Sequence, residues 1–254
     1  EPPKPVLPAT ADFYADWALH QFGPEAGPAA AAIFQKIDGE LPKPCTWVDG
    51  PGGIQPDRRA WEQVRKEYGF VDEFAALCPL VRGAGSRERC YYWLNTFAYL
   101  RDVGEVNCAW GEYDSAMEKV KQQQNAAAKK DMARRLALPV RVKLVGLVGQ
   151  VFEHLLGTVS TTGELGTVAN WNQHNLPGLL NKPGEELVKL LGEPLPADAQ
   201  LAHSYNGPTR VTVPTTRTSL AANEALKLKV IILTRTPPRA ATLCWRKLGD
   251  RRFA

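Results

Sequence analysis

Pro194-Leu195-Pro196 divides the sequence into two textures, and the fold class follows from what stands on either side of it. Downstream, residues 210–213, 225–233 and 241–245 are short β-type runs, separated by the turn signals Asn206-Gly207-Pro208, Asn223-Glu224 and Pro237-Pro238. Leu226, Leu228 and Val230 alternate with Lys227 and Lys229, the period of a strand with one wet face. Three or four such runs make the beginning of a β-sandwich, since a whole one takes about seven strands and roughly 100 residues. Either the sheet is completed elsewhere or the chain is one piece of a larger enzyme, and the second reading is preferred.

Upstream, the texture is helical. Residues 10–22 open on Thr10 as an N-cap, carry Phe13, Trp17 and Leu19 on one face, and stop at Gly23-Pro24. A second helix over 25–37 places Ile33, Phe34 and Ile37 at helical spacing, and a Pro/Gly-rich loop fills 41–56. Further helices are expected over 57–68, from Ser86 as a cap to 103, and over 112–137. Pro139 is expected in the first turn of a helix reaching 159, with Leu144, Val148, Val151, Leu155 and Val159 inward. The expected class is α+β: a mainly α-helical domain over 1–193, followed by a partial antiparallel β-sandwich over 194–254.

Composition sets the outer limits. The chain has 254 residues, 44% hydrophobic and 23% charged, which excludes disordered, collagen-like and disulfide-knotted classes. No run of about 18 apolar residues occurs, so no membrane-spanning helix is expected. Glu1-Pro2-Pro3-Lys4-Pro5 carries no initiator Met and no signal peptide, and reads as a linker cut from a longer chain. Five scattered cysteines, Cys45, Cys78, Cys90, Cys108 and Cys244, fit neither a zinc site nor a disulfide scaffold. Residues 201–254 hold ten Lys/Arg and two Asp/Glu, a net +8, against −4 for residues 1–200. These cations are dispersed through strand-like sequence, so nucleic acid is not expected. Solvent faces of strands explain them, and an acidic polysaccharide remains a further reading.

Three stretches concentrate chemistry. In residues 161–175, TTGELGTVANWNQHN, a loop is expected to gather Glu164, Asn170, Trp171, Asn172 and His174. Amides and carboxylates bond sugar hydroxyls and an indole covers the apolar sugar face; equally, the asparagines cap turns and Trp171 plugs the core. Glu112 and Asp114 form a carboxylate pair of the kind glycoside hydrolysis uses, or they simply favour the dipole at the start of the 112–137 helix. The loop Thr46-Trp47-Val48-Asp49-Gly50-Pro51-Gly52-Gly53 lacks a phosphate-binding pattern, and its glycines let Trp47 reach a neighbouring surface. The aromatic run Tyr91, Tyr92, Trp93, Phe97, Tyr99 is helix core or a stacking platform. His20, His154, His174 and His203 show no metal spacing, and neither metal nor cofactor is expected.

The opening Phe13-Tyr14-Ala15-Asp16-Trp17-Ala18-Leu19-His20-Gln21-Phe22-Gly23 resembles a helical region that follows a (β/α)-barrel in large bacterial glycoside hydrolases, the α-glucuronidase, α-N-acetylglucosaminidase and agarase-like enzymes. The order of the Trp47 loop, the aromatic helix and the late β-sandwich is similar to that layout. Nothing here reads as eight βα units. The resemblance therefore implies the non-barrel C-terminal part of a secreted or periplasmic carbohydrate-active enzyme, which encloses a poly- or oligosaccharide while the principal catalytic carboxylates lie on a barrel outside this chain. Trp47, Asn170, Trp171, Asn172 and His174 are the expected sugar contacts, with Glu112, Asp114 and Glu164 as weaker catalytic candidates. A non-enzymatic helical scaffold that binds a partner protein is the alternative.

Overall fold

The computed structural model describes residues 9–46, 53–202, 204–215, 217, 219–246 and 249–253. They belong to two compact units, residues 1–202 and 203–254. In the first, α1 (Thr10–Phe22) and α2 (Gly27–Ile37) pack as a helical pair, turning at Gly23, whose φ of 82° suits only glycine. Thr10 lies inside α1; Ala9 stands at the cap without a side-chain bond. β1 (Cys45–Thr46) and β2 (Gly53–Ile54) form an antiparallel hairpin base within the expected loop. The helix expected over 57–68 is α3 (Trp61–Val64) and a 3-10 turn (Arg65–Tyr68), which leads into α4 (Gly69–Ala75).

α5 (Ala84–Lys121) has 38 residues and extends about 57 Å at 1.5 Å per residue. The break expected between residues 103 and 112 does not exist. Gly104 and Gly111 are helix-interior positions that the tertiary structure needs bare. A Cβ on Gly111 would stand 2.2 Å from the Asp57 carbonyl oxygen, and one on Gly104 would stand 2.5 Å from the Tyr68 hydroxyl. Close packing overrides the poor helix propensity of glycine here. Gly83, with φ 82°, occupies the N-cap, and Ser86 lies inside the helix.

Asn125 caps the next helix, its Oδ1 accepting from the Ala127 N–H at 2.7 Å. α6 (Ala126–Met132) and α7 (Leu138–Thr158) continue each other through a wide turn, Ala133–Ala137. α8 (Thr162–Asn170) and α9 (Lys182–Leu191) are likewise joined through two wide turns, Trp171–Asn175 and Pro177–Asn181. Three prolines account for all three. Pro139, Pro177 and Pro183 have no N–H to give, and their rings would collide with the carbonyl four residues back. In each case the preceding residue bonds five residues back instead: Leu138 to Ala133, Leu176 to Trp171, Lys182 to Pro177. Pro139 thus stands in the first turn of α7, as expected, although the chain before it is already helical.

Packing is densest between α5 and α7, where Val103, Val106, Leu144, Val148 and Val151 are wholly buried. Leu155 and Val159 are buried too, as the spacing predicts. An aromatic core around Trp17, Phe22, Phe34, Phe74, Trp93 and Phe97 joins α1, α2 and α4 to the start of α5. The Cys78–Cys90 disulfide ties the turn after α4 to α5. A third cluster packs the end of α5 against α6 and α9.

In the second unit, β3 (Arg210–Thr212) pairs antiparallel with β4 (Ile231–Leu233), Val211 opposite Ile232. Residues 225–230 and 241–245 are not strands, and the described residues hold a two-stranded sheet there, not a sandwich. The whole is therefore α+β in a coarse sense, mostly helix with small antiparallel sheets.

Candidate functional site

The bare face of α5 makes room for a cleft. Segment 55–60 leaves the hairpin and lies against that face, held by the Asp57 N–H donating to the Asn107 carbonyl at 2.8 Å. The Asn107 side chain, 7% exposed, donates through Nδ2 to the Pro44 carbonyl at 2.7 Å and fixes the other strand of the hairpin base. Between these segments and the 3-10 turn opens a cleft of about 290 Å³, with Tyr68, Gly104 and Asn107 inside and Lys43, Gln55 and Arg58 among its lining.

Its walls are charged: Asp57, Arg58, Arg59 and Glu67 stand in ion pairs, and Lys43 adds an exposed cation with no ion pair among the described residues. Arg59 grips Asp57 through Nε at 2.9 Å and Nη2 at 2.7 Å, and reaches Glu67 through Nη1 at 2.8 Å. Bonding to Arg59 lowers the Asp57 carboxyl pKa. Arg58 pairs with Glu118 on α5. Tyr68 is only 3% exposed, yet its hydroxyl meets no partner among the described residues and is not sealed off from the cleft. Burial pushes its pKa well up, so the phenol is neutral and can both donate and accept. By contrast, Asn107 Oδ1 is buried and has no hydrogen-bond partner among the described residues.

The sequence-derived candidates are only partly brought together. Trp47 and Asp49 lie outside the described residues, as does His203. Residues 161–175 are not a loop: Thr161 caps α8, with its hydroxyl accepting from Gly163 N–H at 3.2 Å. Glu164 closes this capping box through the Thr161 N–H at 2.8 Å. Trp171 is 1% exposed, edge-on to Phe152, and its indole N–H donates to the Tyr99 hydroxyl at 3.0 Å. That ring is core, with no face left for a sugar. Asn170 and Trp171 line a cavity of about 10 Å³ with Cys45, Tyr99 and Asn175, room for about one water. Asn172 and His174 are exposed, and Asn172 donates to the Val168 carbonyl at 3.1 Å.

Glu112 and Asp114 do not converge either. Two residues apart in mid-helix, they point to opposite sides, and neither stands at a helix start. Glu112 pairs with Lys143 at 2.8 Å; burial raises the Asp114 pKa, and Arg58 opposes the shift.

One pair was not anticipated. Asp102, with a side chain 4% exposed, holds His154 Nδ1 on α7 at 2.5 Å, and the imidazole is 31% exposed. In sequence, 52 residues separate the partners; only the α5–α7 packing makes them neighbours. Burial, then the Asp102 charge, raises the pKa of Glu105 beside them. Among the described residues, no group of three or more His, Cys, Asp or Glu can hold a metal ion, and no helix is long and apolar enough to cross a membrane. No family model, no curated protein and no solved structure matches the chain.

Proposed function

We propose that the helical unit binds and helps enclose a poly- or oligosaccharide, as the non-barrel part of a carbohydrate-active enzyme that hydrolyses glycosidic bonds. The observation that carries this reading is the cleft over Tyr68: a neutral hydroxyl with no partner among the described residues, at the tip of a buried ring, in a recess lined by the Gln55 amide, by ion-paired groups and by Lys43. Sugar hydroxyls are donors and acceptors together, which suits a phenol and an amide better than it suits a purely apolar pocket.

Glu112 and Glu164 are engaged elsewhere, which supports placing catalysis on carboxylates other than these. A secreted or periplasmic location is part of this reading, and the Cys78–Cys90 disulfide supports an oxidising compartment. The β3–β4 pair is then the first piece of a β-sandwich.

Affinity electrophoresis through gels cast with a panel of soluble polysaccharides tests the reading. Saturable retention on one polysaccharide is expected, reduced in Gln55→Ala without a change in melting temperature. Free migration through every gel would overturn it and leave the partner-protein scaffold as the better account.

A further inference from the structure

We infer that the polysaccharide proposed above is an acidic one, bearing carboxylates or sulfates, and that residues 203–254 make its anionic contacts; this rests on the saccharide reading and specifies its ligand. The two units treat their cations differently. In the helical unit, half of the described Lys and Arg stand in ion pairs. In the second unit Arg217 pairs with Glu224. Lys227, Lys229, Arg239, Arg251 and Arg252 are exposed there and in no ion pair among the described residues. Strand faces do not account for them, because of the described cations of this unit only Arg210 lies in a strand. Most of the net +8 carried by residues 201–254 therefore stands uncompensated in solvent, and such a surface attracts a polyanion.

The neighbours of these cations choose the polyanion. Trp245 is 56% exposed and Phe253 61%, and none of the described Val, Ile, Leu, Phe or Trp side chains of this unit is buried. Arg246 lies over the Phe253 ring, 4.7 Å from its centre, and donates through Nη1 to the Asp250 carbonyl at 3.2 Å, which sets it at the turn that carries Arg251 and Arg252. Indole and phenyl rings left in water cover the apolar faces of sugars, and guanidinium groups grip a carboxylate or sulfate with two parallel bonds. Further along, Lys227 and Lys229 stand singly between Leu226, Leu228 and Val230. Single charges between apolar side chains match a polymer with an anion and an apolar face on each ring. A nucleic acid duplex instead presents a charge about every 1.7 Å. Such a partner is met by runs of roughly five or six cations, and the longest run here is two.

Affinity electrophoresis of the full chain tests this, with gels cast from polygalacturonate, alginate, hyaluronate or carrageenan beside gels cast from dextran, laminarin or galactomannan. Retention on at least one acidic polymer is expected, about ten-fold tighter than on any neutral one, and weakened at least about ten-fold when NaCl is raised ten-fold. The double variants Lys227→Gln/Lys229→Gln and Arg251→Gln/Arg252→Gln are each expected to weaken it about five-fold, the effect of two exposed charge contacts. Trp245→Ala is expected to weaken it about as much and to leave the salt dependence as in the parent, since an indole on a sugar face carries no charge. All these positions are exposed, and the melting temperature is expected to stay unchanged. Retention on neutral polymers alone, or acidic retention undiminished in all three variants, would overturn the inference and leave the saccharide reading standing. Tighter binding of a single-stranded oligonucleotide than of any acidic polysaccharide of equal charge would also overturn it, by making this a nucleic-acid surface. No polysaccharide retained at all would remove both.

Discussion

Arg141 and Tyr68 are both nearly buried polar side chains, and the fold treats them in opposite ways. Arg141, 5% exposed, is in no ion pair among the described residues, yet Nε donates to the Ala199 carbonyl at 3.0 Å and Nη1 to the Leu180 carbonyl at 3.0 Å. Leu180 belongs to a wide turn, where the chain adapts to Pro183 and carbonyls lose their ordinary helical donors. The Tyr113 hydroxyl serves the same turn, donating to the Pro183 carbonyl at 3.2 Å. Burial lowers the Arg141 pKa, a cost that the carbonyl bonds offset. At the cleft, Tyr68 is left without such an answer. A buried polar group that the chain itself satisfies is architecture; one it leaves open toward a recess is available to a ligand.

The largest expected effect tests the architectural side. Arg141→Met keeps the volume but strips the Leu180 and Ala199 carbonyls of their donors, at about 1–3 kcal/mol each. At roughly 2–4 °C per kcal/mol for a chain of this size, the melting temperature is expected to fall by about 10 °C, while Tyr68→Phe shifts it by no more than about 1 °C. Scanning calorimetry on the two variants checks this. Equal shifts would erase the distinction between the two sites.

Asp102 and His154 stand between those extremes: answered, but by a single hydrogen bond. His154→Leu leaves the Asp102 carboxylate buried with only Arg101 Nε, 3.9 Å away. Losing one partner of a buried pair costs about 3–5 kcal/mol, and the part-exposed ring reduces that to roughly 2 kcal/mol here. Chemical denaturation is expected to show that loss, and the double variant Asp102→Leu/His154→Leu is expected to recover most of it. A double variant no more stable than His154→Leu would mean that the carboxylate is not the source of the cost.

The sequence revealed what depends on neighbouring residues and hid what depends on distant ones. Leu144, Val148, Val151 and Leu155 repeat at helical spacing and are buried as that spacing predicts. The helices expected up to 103 and from 112 are one, and nothing near Gly104 and Gly111 in sequence announces that Asp57 and Tyr68 will press against α5 there. Residues 161–175 read as a loop because amides cluster there, although Thr161 and Glu164 already spell a capping box three residues apart. Trp171 was legible as either platform or core, and the Tyr99 hydroxyl that settles it as core lies 72 residues away. The cleft itself was not legible at all: Pro44, Asp57, Tyr68 and Asn107 meet only once β1, β2 and α5 have packed.

Glu164 gives the smallest effect and separates the two kinds of site most cleanly, since it is a carboxylate that a sequence reading offers to catalysis and the fold uses as a cap. Burial alone would raise its pKa, but the bonds from the Thr161 side chain and from the backbone at the start of α8 outweigh burial, and the net shift is downward. A depressed folded-state pKa means that the ionised form contributes stability above the unfolded glutamate value of about 4.3. That contribution is lost as pH falls through the lower, folded value. Glu164→Gln keeps an acceptor for the Thr161 N–H and is expected to melt within about 1 °C of the parent at neutral pH, without the parent's decline in acid. Glu164→Ala is expected to lose about 1 kcal/mol at neutral pH. Saccharide binding should be the same in all three proteins. Lost binding in the Gln variant, with its melting temperature intact, would make Glu164 a ligand contact and bring the α8 cap into the functional surface.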